Sequence, residues 1–159
     1  VAKGRIQLNI EVKYYGPDPT LMQKVAQLIR ENQFEDHCIV TTFDRHALEE
    51  LKRLNPKVRR GLIIAHAIGD ISKLDIDIFS VRADWLSDEV IRKIKKHGKE
   101  VHVWTINDPK QAVLQIKRGV NNILTSNPDL ILPVRNEWAA MEWRERLVLA
   151  SRLRLGLDP

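Results

Sequence analysis

Polar and apolar residues alternate strictly over residues 8–13, Leu-Asn-Ile-Glu-Val-Lys, near the start of the sequence. Successive side chains of a β-strand point to opposite faces, so this segment predicts a strand with two unlike faces. The apolar face comprises Leu8, Ile10 and Val12, and the polar face comprises Asn9, Glu11 and Lys13. In an antiparallel sheet a solvent-facing edge would explain the polar side.

Strand-like and helix-like segments alternate along most of the chain. The strands are predicted at residues 5–13, 37–43, 60–65, 76–81, 101–106 and 122–125. A strand followed by a helix and a second strand is typical of a parallel sheet that is covered by helices. Polar side chains on the first strand then need a polar environment, and the mouth of a barrel provides one.

Capping residues and apolar spacing predict the helices. The inward face of the first helix is predicted to comprise Leu21, Val25, Leu28 and Ile29. Three later helices have predicted N-caps at Asp44, Ser87 and Asp108. A final amphipathic helix, rich in arginine and leucine, is predicted from 137 to 155. Only a turn around Gly69-Asp70 separates the third and fourth strands, so no helix is predicted there.

These elements predict an α/β fold, namely an incomplete TIM-type (β/α) barrel with about six of the eight βα units and a C-terminal helix. We expect the first two units to be absent from this polypeptide. A doubly wound sheet is the alternative, but the turn at 15–17 lacks the glycine-rich phosphate-binding fingerprint. Residues 1–135 are assigned to the partial barrel and 136–159 to the C-terminal helix of the same domain.

Composition narrows the functional classes. The 159 residues fit one domain, and no apolar stretch approaches the roughly 20 residues that span a bilayer, so the chain is expected to be soluble. The single cysteine, Cys38, excludes an internal disulfide, and its apolar surroundings predict a buried, inert thiol rather than a nucleophile.

The net charge of +5 is spread over helices in mixed patterns, which are typical of solvated faces. Nucleic acid is not an expected partner because no basic platform with interleaved aromatic residues occurs. The candidates for contact with anionic lipid or another subunit are the C-terminal residues Arg144, Arg146, Arg152 and Arg154.

Four segments together resemble the glycerophosphodiester phosphodiesterase family, and they occur in the family's order. They are residues 8–13, Thr-Thr-Phe-Asp at 41–44, Val-His-Val-Trp-Thr-Ile-Asn at 101–107, and Gly-Val-Asn-Asn-Ile-Leu-Thr-Ser-Asn-Pro at 119–128. The first and third make a fairly specific pair. The segment at 144–149 looks most like the branch whose catalytic domain follows a bundle of membrane helices, so the resemblance implies a parent protein associated with a membrane.

The resemblance implies a TIM barrel that hydrolyses glycerophosphodiesters to glycerol 3-phosphate and an alcohol. It also implies a divalent cation, Ca²⁺ or Mg²⁺, held by carboxylates at the barrel mouth, and a histidine pair as general acid and base. By resemblance, Glu11 matches a metal ligand, Lys13 a phosphate-contacting residue and Trp104 an aromatic residue of the substrate pocket. The residues alone leave two alternatives open: Glu11 and Lys13 form only an ion pair, and Trp104 belongs to the core.

The chain also departs from the family. No segment matches its His-Arg-Gly, Pro-Glu-Asn, Glu-x-Asp or His-Asp motifs, so no catalytic residue is assigned, and Ser126 replaces an expected aspartate. Among the five histidines only His66 is predicted at the carboxyl end of a strand. A single carboxylate cannot hold a divalent cation firmly, because such sites need several oxygens, and the metal site is therefore expected to be incomplete.

Three hypotheses follow. In the first, the chain is the C-terminal part of a glycerophosphodiester phosphodiesterase domain (family strands three to eight) and is inactive unless a complementing N-terminal segment or a partner supplies the other strands. In the alternative, it is a non-catalytic barrel remnant that acts in self-association, as a homo-oligomer, or in ligand binding. A third, weaker hypothesis is a basic module that binds membrane surfaces through the terminal helix.

Overall fold

The computed structural model describes residues 4–14, 18–66 and 71–154. One parallel sheet contains six strands in chain order: β1 (Leu8–Glu11), β2 (Cys38–Thr42), β3 (Arg59–Ile64), β4 (Ile78–Arg82), β5 (Glu100–Trp104) and β6 (Asn122–Ile123). The helices are α1 (Leu21–Glu31), α2 (Arg45–Leu54), α3 (Asp88–Lys96), α4 (Pro109–Lys117), α5 (Pro128–Ala140) and α6 (Trp143–Arg154). The six predicted strands are confirmed, and the sheet curls into a half-barrel of the TIM type.

The outer face of the sheet carries the hydrophobic core. Alternate strand residues are buried against the helices, among them Val40, Leu62, Phe79, Val81, Val101 and Val103. The helices contribute apolar residues such as Leu48, Leu51, Ile91 and Ile94. Because side chains alternate across a strand, the residues between these positions line the concave inner face.

Every strand except β3 is shorter than predicted, and the difference is proportionally largest in β1 and β6. The regular part of β1 covers only Leu8–Glu11, although the amide of Val12 still donates to the carbonyl oxygen of Thr41 at 2.8 Å. The regular part of β6 is two residues long, but the amide of Leu124 donates to the carbonyl oxygen of Val103 at 2.8 Å. Pairing therefore continues past the end of each regular strand.

The predicted inward face of α1 is wrong at Leu28, whose side chain is 59% exposed. The buried residues of α1 are Met22, Ala26 and Ile29, which follow an i, i+4, i+7 pattern. Leu21 and Val25 are half-buried at the flank of this stripe. The face of α1 that packs on the sheet is thus rotated by about one residue position, roughly 100°, from the face that the apolar spacing predicts.

The single final helix predicted from 137 to 155 is also wrong, because two helices, α5 and α6, cover this region. Met141 is extended between them, with φ −64° and ψ 141°. The Glu145 side chain accepts a hydrogen bond from the backbone amide of Glu142 at 2.8 Å, as in a capping box. This hydrogen bond caps the start of α6.

The connection between β3 and β4 contains no α-helix in its described part, which agrees with the sequence. A single 3₁₀ turn, Ile71–Lys73, precedes β4. The turn predicted at Gly69-Asp70 lies outside the described residues. Across the described ranges, no helix is both long and apolar enough to cross a membrane.

Cys38 is buried at the start of β2, as predicted. Burial raises the pKa of its thiol, and the charge of Glu35 acts in the same direction. A thiol whose pKa is raised carries little thiolate at neutral pH, and the thiolate is the nucleophilic form.

A polar group lies on the inner face near the amino end of β5. The guanidinium of Arg59 contacts the Glu100 carboxylate at 2.8 Å, and His102 Nε2 lies 3.3 Å from the other oxygen of that carboxylate. The His102 side chain is only 6% exposed. Its Nδ1 atom has no hydrogen-bond partner within the described part of the chain. Burial lowers the pKa of His102, against the opposing effect of Glu100.

Gly61 makes a close contact across the inner face. The register aligns Glu11, Thr41, Gly61 and Ile78 across four neighbouring strands. A Cβ added at Gly61 would lie 2.7 Å from Cγ2 of Thr41. The Thr41 side chain cannot rotate away without breaking a hydrogen bond, because its Oγ1 donates to Oδ1 of Asn9 at 2.9 Å.

We expect Gly61→Ala to lower the free energy of unfolding by about 1–3 kcal/mol, the usual cost of overpacking. Thr41→Ser removes Cγ2 but keeps the hydroxyl, so the double variant Gly61→Ala/Thr41→Ser should be more stable than the sum of the single effects predicts. Urea unfolding of the four proteins measures this coupling. Additive effects would show that the contact with Thr41 does not limit the site.

We expect the stability of the protein to fall as the pH is lowered from about 7 to about 5. The ordinary pKa of histidine is about 6.5, and that of His102 is lower in the folded state. Between those two values the unfolded chain binds a proton that the folded chain does not, so acid favours unfolding. His102→Gln should remove this part of the slope, whereas His46→Gln, at an exposed site, should not. Equal slopes in both variants would contradict this assignment.

Candidate functional site

A cleft of about 330 Å³ opens at the carboxyl ends of the strands. In parallel α/β barrels this end of the strands carries ligand sites, because the loops that follow the strands converge there. The residues that line the cleft are Asn9, Glu11, Lys13, Thr41, Phe43, Ile63, Ser80, Trp104, Thr105, Leu124, Thr125 and Ser126. The cleft is therefore the candidate active site.

The polar face predicted for β1 forms one wall of this cleft. Glu11 is the last residue of β1 and Lys13 follows two residues later, so both side chains point to the inner face. Nζ of Lys13 lies 3.3 Å from Oε1 of Glu11, and the two side chains are 49% and 38% exposed. The ion-pair alternative is thus confirmed, and the pair is part of the cleft wall. The metal role of Glu11 and the phosphate role of Lys13 stay predictions.

Two aromatic rings also line the cleft. Trp104 ends β5, and its indole Nε1–H donates to the carbonyl oxygen of Ser80 on β4 at 3.0 Å. The Phe43 ring meets the Trp104 ring edge-on, with centroids 6.3 Å apart and an angle of 90° between the planes. Trp104 is half-buried and lines the cleft, so the fold places it in the site rather than in the core between sheet and helices.

The loop between β6 and α5 supplies the third wall. Oδ1 of Asn107 accepts hydrogen bonds from Oγ1 of Thr125 at 3.0 Å and from the amide of Ser126 at 2.8 Å. The hydroxyl of Thr125 also accepts from the amide of Asn127 at 2.9 Å. Asn107 therefore fixes two of the hydroxyl-bearing residues that border the cleft, Thr125 and Ser126.

Sequence reasoning missed Asn107 and Phe43 as site residues. Phe43 could have been found, because it continues the alternation of β2 two residues after Thr41. Asn107 had a weaker signal, namely a polar residue directly after a strand, and its contact with residues 18 and 19 positions later is not encoded locally.

The predicted position of His66 at the carboxyl end of β3 is correct, but the side chain does not line the cleft. Its Nε2 lies 3.2 Å from Nη2 of Arg82, and its ring meets that of Trp85 edge-on at 5.2 Å. Arg82 is in turn held by Asp84 through two contacts of 2.6 and 2.8 Å. These bonds from Arg82 hold the pKa of the Asp84 carboxyl below its usual value.

The described residues do not by themselves fit a divalent cation. Across the described ranges, no group of three or more His, Cys, Asp or Glu side chains is placed to hold a metal ion. Glu11 is the one acidic side chain of the cleft wall, while Ca²⁺ takes about six to eight oxygen ligands. The metal-ligand role of Glu11 stays a prediction.

Comparison with known proteins identifies the family. Residues 7–130 match the model of the glycerophosphoryl diester phosphodiesterase family. A glycerophosphodiester phosphodiesterase of Caldanaerobacter subterraneus subsp. tengcongensis is 25% identical over 133 residues, which cover 79% of this chain and 54% of that protein. The chain thus spans about half the length of this curated relative.

Solved structures show the same fold. A glycerophosphodiester phosphodiesterase from Parabacteroides distasonis superposes with a TM-score of 0.73 at 22% identity, covering 86% of this chain and 60% of that one. A phosphodiesterase from Oleispira antarctica, solved in complex with the product sn-glycerol-3-phosphate, gives a TM-score of 0.66 at 22% identity over 82% of this chain and 55% of that one. With the family model matching well over half of its residues, this chain belongs to the glycerophosphoryl diester phosphodiesterase family.

Proposed function

We propose that this chain forms the substrate-binding part of an enzyme that hydrolyses glycerophosphodiesters to glycerol 3-phosphate and an alcohol. The observation that carries the proposal is the cleft at the carboxyl ends of the strands, where an ammonium group and two aromatic rings line the same space in a chain of this family. The product complex of the Oleispira antarctica protein supports the same ligand class.

The chemistry of the walls suits such a substrate. A phosphodiester carries one negative charge, and Nζ of Lys13 supplies a positive one that interacts favourably with phosphoryl oxygens. The rings of Trp104 and Phe43 offer apolar surface to the glycerol carbons. The hydroxyls of Thr125 and Ser126 are hydrogen-bonding groups that suit the hydroxyls of glycerol.

A divalent cation, Ca²⁺ or Mg²⁺, would add charge stabilisation at the phosphoryl group when bound. We propose Glu11 as one of its ligands. Any further carboxylate ligands must come from outside the described residues, because among the described residues Glu11 is the one acidic side chain in the cleft wall.

The chain alone is proposed to be inactive. The residues for general acid and base catalysis that the family resemblance implies have no match in the sequence, and no histidine lines the cleft among the described residues. The strands β1 and β6 each pair with one neighbour in the described sheet, so additional strands from a complementing segment would have edges to join. Self-association through these edges is the alternative.

We expect no turnover when the purified chain is incubated with glycerophosphocholine and Ca²⁺ or Mg²⁺. Release of choline, measured by a coupled assay, checks this, with a full-length family member as the positive control. Sustained turnover would show that the assignment of catalytic groups is wrong. An obligate dimer in sedimentation experiments, with no measurable affinity for either cation, would instead favour the non-catalytic alternative.

We expect Lys13→Ala to weaken the binding of glycerol 3-phosphate by about tenfold or more, because a hydrogen bond to a charged group contributes about 1.5–3 kcal/mol. Titration followed by NMR of the labelled chain measures the affinity. Lys57→Ala is the matched control, because Lys57 is exposed and does not line the cleft. Equal affinities for the two variants would remove Lys13 from the site.

A further inference from the structure

The outward side of α6 combines apolar and positively charged side chains. Trp143, Leu147 and Val148 are 65%, 57% and 61% exposed, and Arg144 and Arg152 are exposed beside them. At 100° per residue these five positions fall within half of the helix circumference. We call these five residues the α6 exposed face.

The opposite side of α6 is already used in packing. Nη2 of Arg146 donates to the carbonyl oxygen of Ala139 at 3.1 Å, and its guanidinium lies 5.9 Å from the centroid of the Trp138 ring. Arg146 therefore ties α6 to α5, and α6 also packs beside α4. The α6 exposed face points away from both neighbours.

Charge on this helix is strongly asymmetric. Its sequence contains four arginines and one acidic residue, Glu145. The carboxylate of Glu145 accepts a hydrogen bond from the Glu142 amide at the start of the helix. The Arg144 guanidinium lies 5.3 Å from the centroid of the Trp143 ring, so a cation lies directly beside the largest apolar side chain of the face.

We propose that the α6 exposed face binds the surface of a membrane that contains anionic lipids. A helix that lies in the interface buries apolar side chains among the acyl chains while arginines contact anionic headgroups. Tryptophan is enriched at this depth because its ring is apolar and its N–H is polar. The net charge of +5 on the whole chain favours the same partner.

A protein partner suits the face less well. Its three apolar side chains expose a few hundred Å² between them, which is less than the roughly 800 Å² per partner of a standard protein interface. Arg144 lies between the apolar residues and would have to be buried or neutralised by an acidic partner.

Binding to vesicles tests the proposal directly. The probes are large vesicles of phosphatidylcholine alone and of phosphatidylcholine mixed with phosphatidylserine, used in co-sedimentation at low and high salt. We expect binding to the mixed vesicles, weakened by salt, and a blue shift of tryptophan emission that Trp143→Phe reduces and Trp85→Phe does not. No binding of the wild-type chain to the mixed vesicles would overturn the proposal.

Two double variants separate the contributions. Arg144→Gln/Arg152→Gln should reduce affinity for the mixed vesicles about 25-fold, at about fivefold for each arginine near an anionic surface. Trp143→Ala/Leu147→Ala should weaken binding to a similar or greater extent. The matched controls are Leu28→Ala and Arg53→Gln, which remove an exposed leucine and an exposed arginine from other helices.

The controls should bind like the wild type, and circular dichroism should show all variants folded. Equal affinity of the controls and the α6 variants would overturn the proposal. Concentration-dependent dimerisation without vesicles, abolished by Trp143→Ala/Leu147→Ala, would overturn it in favour of a second copy. These readouts do not involve hydrolysis or glycerol 3-phosphate, so they are independent of the proposed function.

Discussion

Helices cover only the outer face of the sheet, and this constraint organises the rest of the molecule. Apolar burial stabilises the fold by about 25 cal/mol for each Å² removed from water, so alternate strand positions must be apolar. Val40, Leu62 and Phe79 occupy such positions and are buried. The intervening positions face the inner side and need not be apolar. Glu11 and Trp104 occupy two of them.

The inner face changes character along the strands. Near the amino end of β5 it is occupied by the buried His102 and its partly exposed partner Glu100. Near the carboxyl ends it widens into the cleft. A buried polar atom without a partner, such as Nδ1 of His102, carries a desolvation cost. The other ring nitrogen, Nε2, lies 3.3 Å from the Glu100 carboxylate, and this contact orients the ring.

The sequence predicts features that depend on local period and capping. The alternation over residues 8–13 is sufficient to place Glu11 and Lys13 on the inner face, because it puts the half-buried Leu8 and the buried Val12 on the opposite side. The break before α6 was also available locally, in the capping relation of Glu142 and Glu145, but the arginine-rich pattern masked it.

Features that depend on packing between distant segments could not be predicted. Two adjacent apolar stripes of α1 were compatible with its spacing, and only contact with the sheet selects the stripe of Met22 over that of Leu28. Asn107 is a second case, because its role arises from two hydrogen bonds to the loop after β6. Propensity and periodicity indicate which conformations and buried faces a segment can adopt. Contacts with distant segments determine which of them occurs in the fold.

The cations at the barrel rim differ in their availability to a ligand. Arg82 makes two hydrogen bonds to one carboxylate, so its planar guanidinium is largely committed to Asp84. Lys13 has a single contact of 3.3 Å with Glu11, and both side chains are more than one-third exposed. Exposed ion pairs of this kind contribute only about 0–1 kcal/mol. Moving the Lys13 ammonium from Glu11 to a phosphoryl oxygen therefore costs little, and the weakness of the pair in the isolated chain is what suits it to bind a ligand.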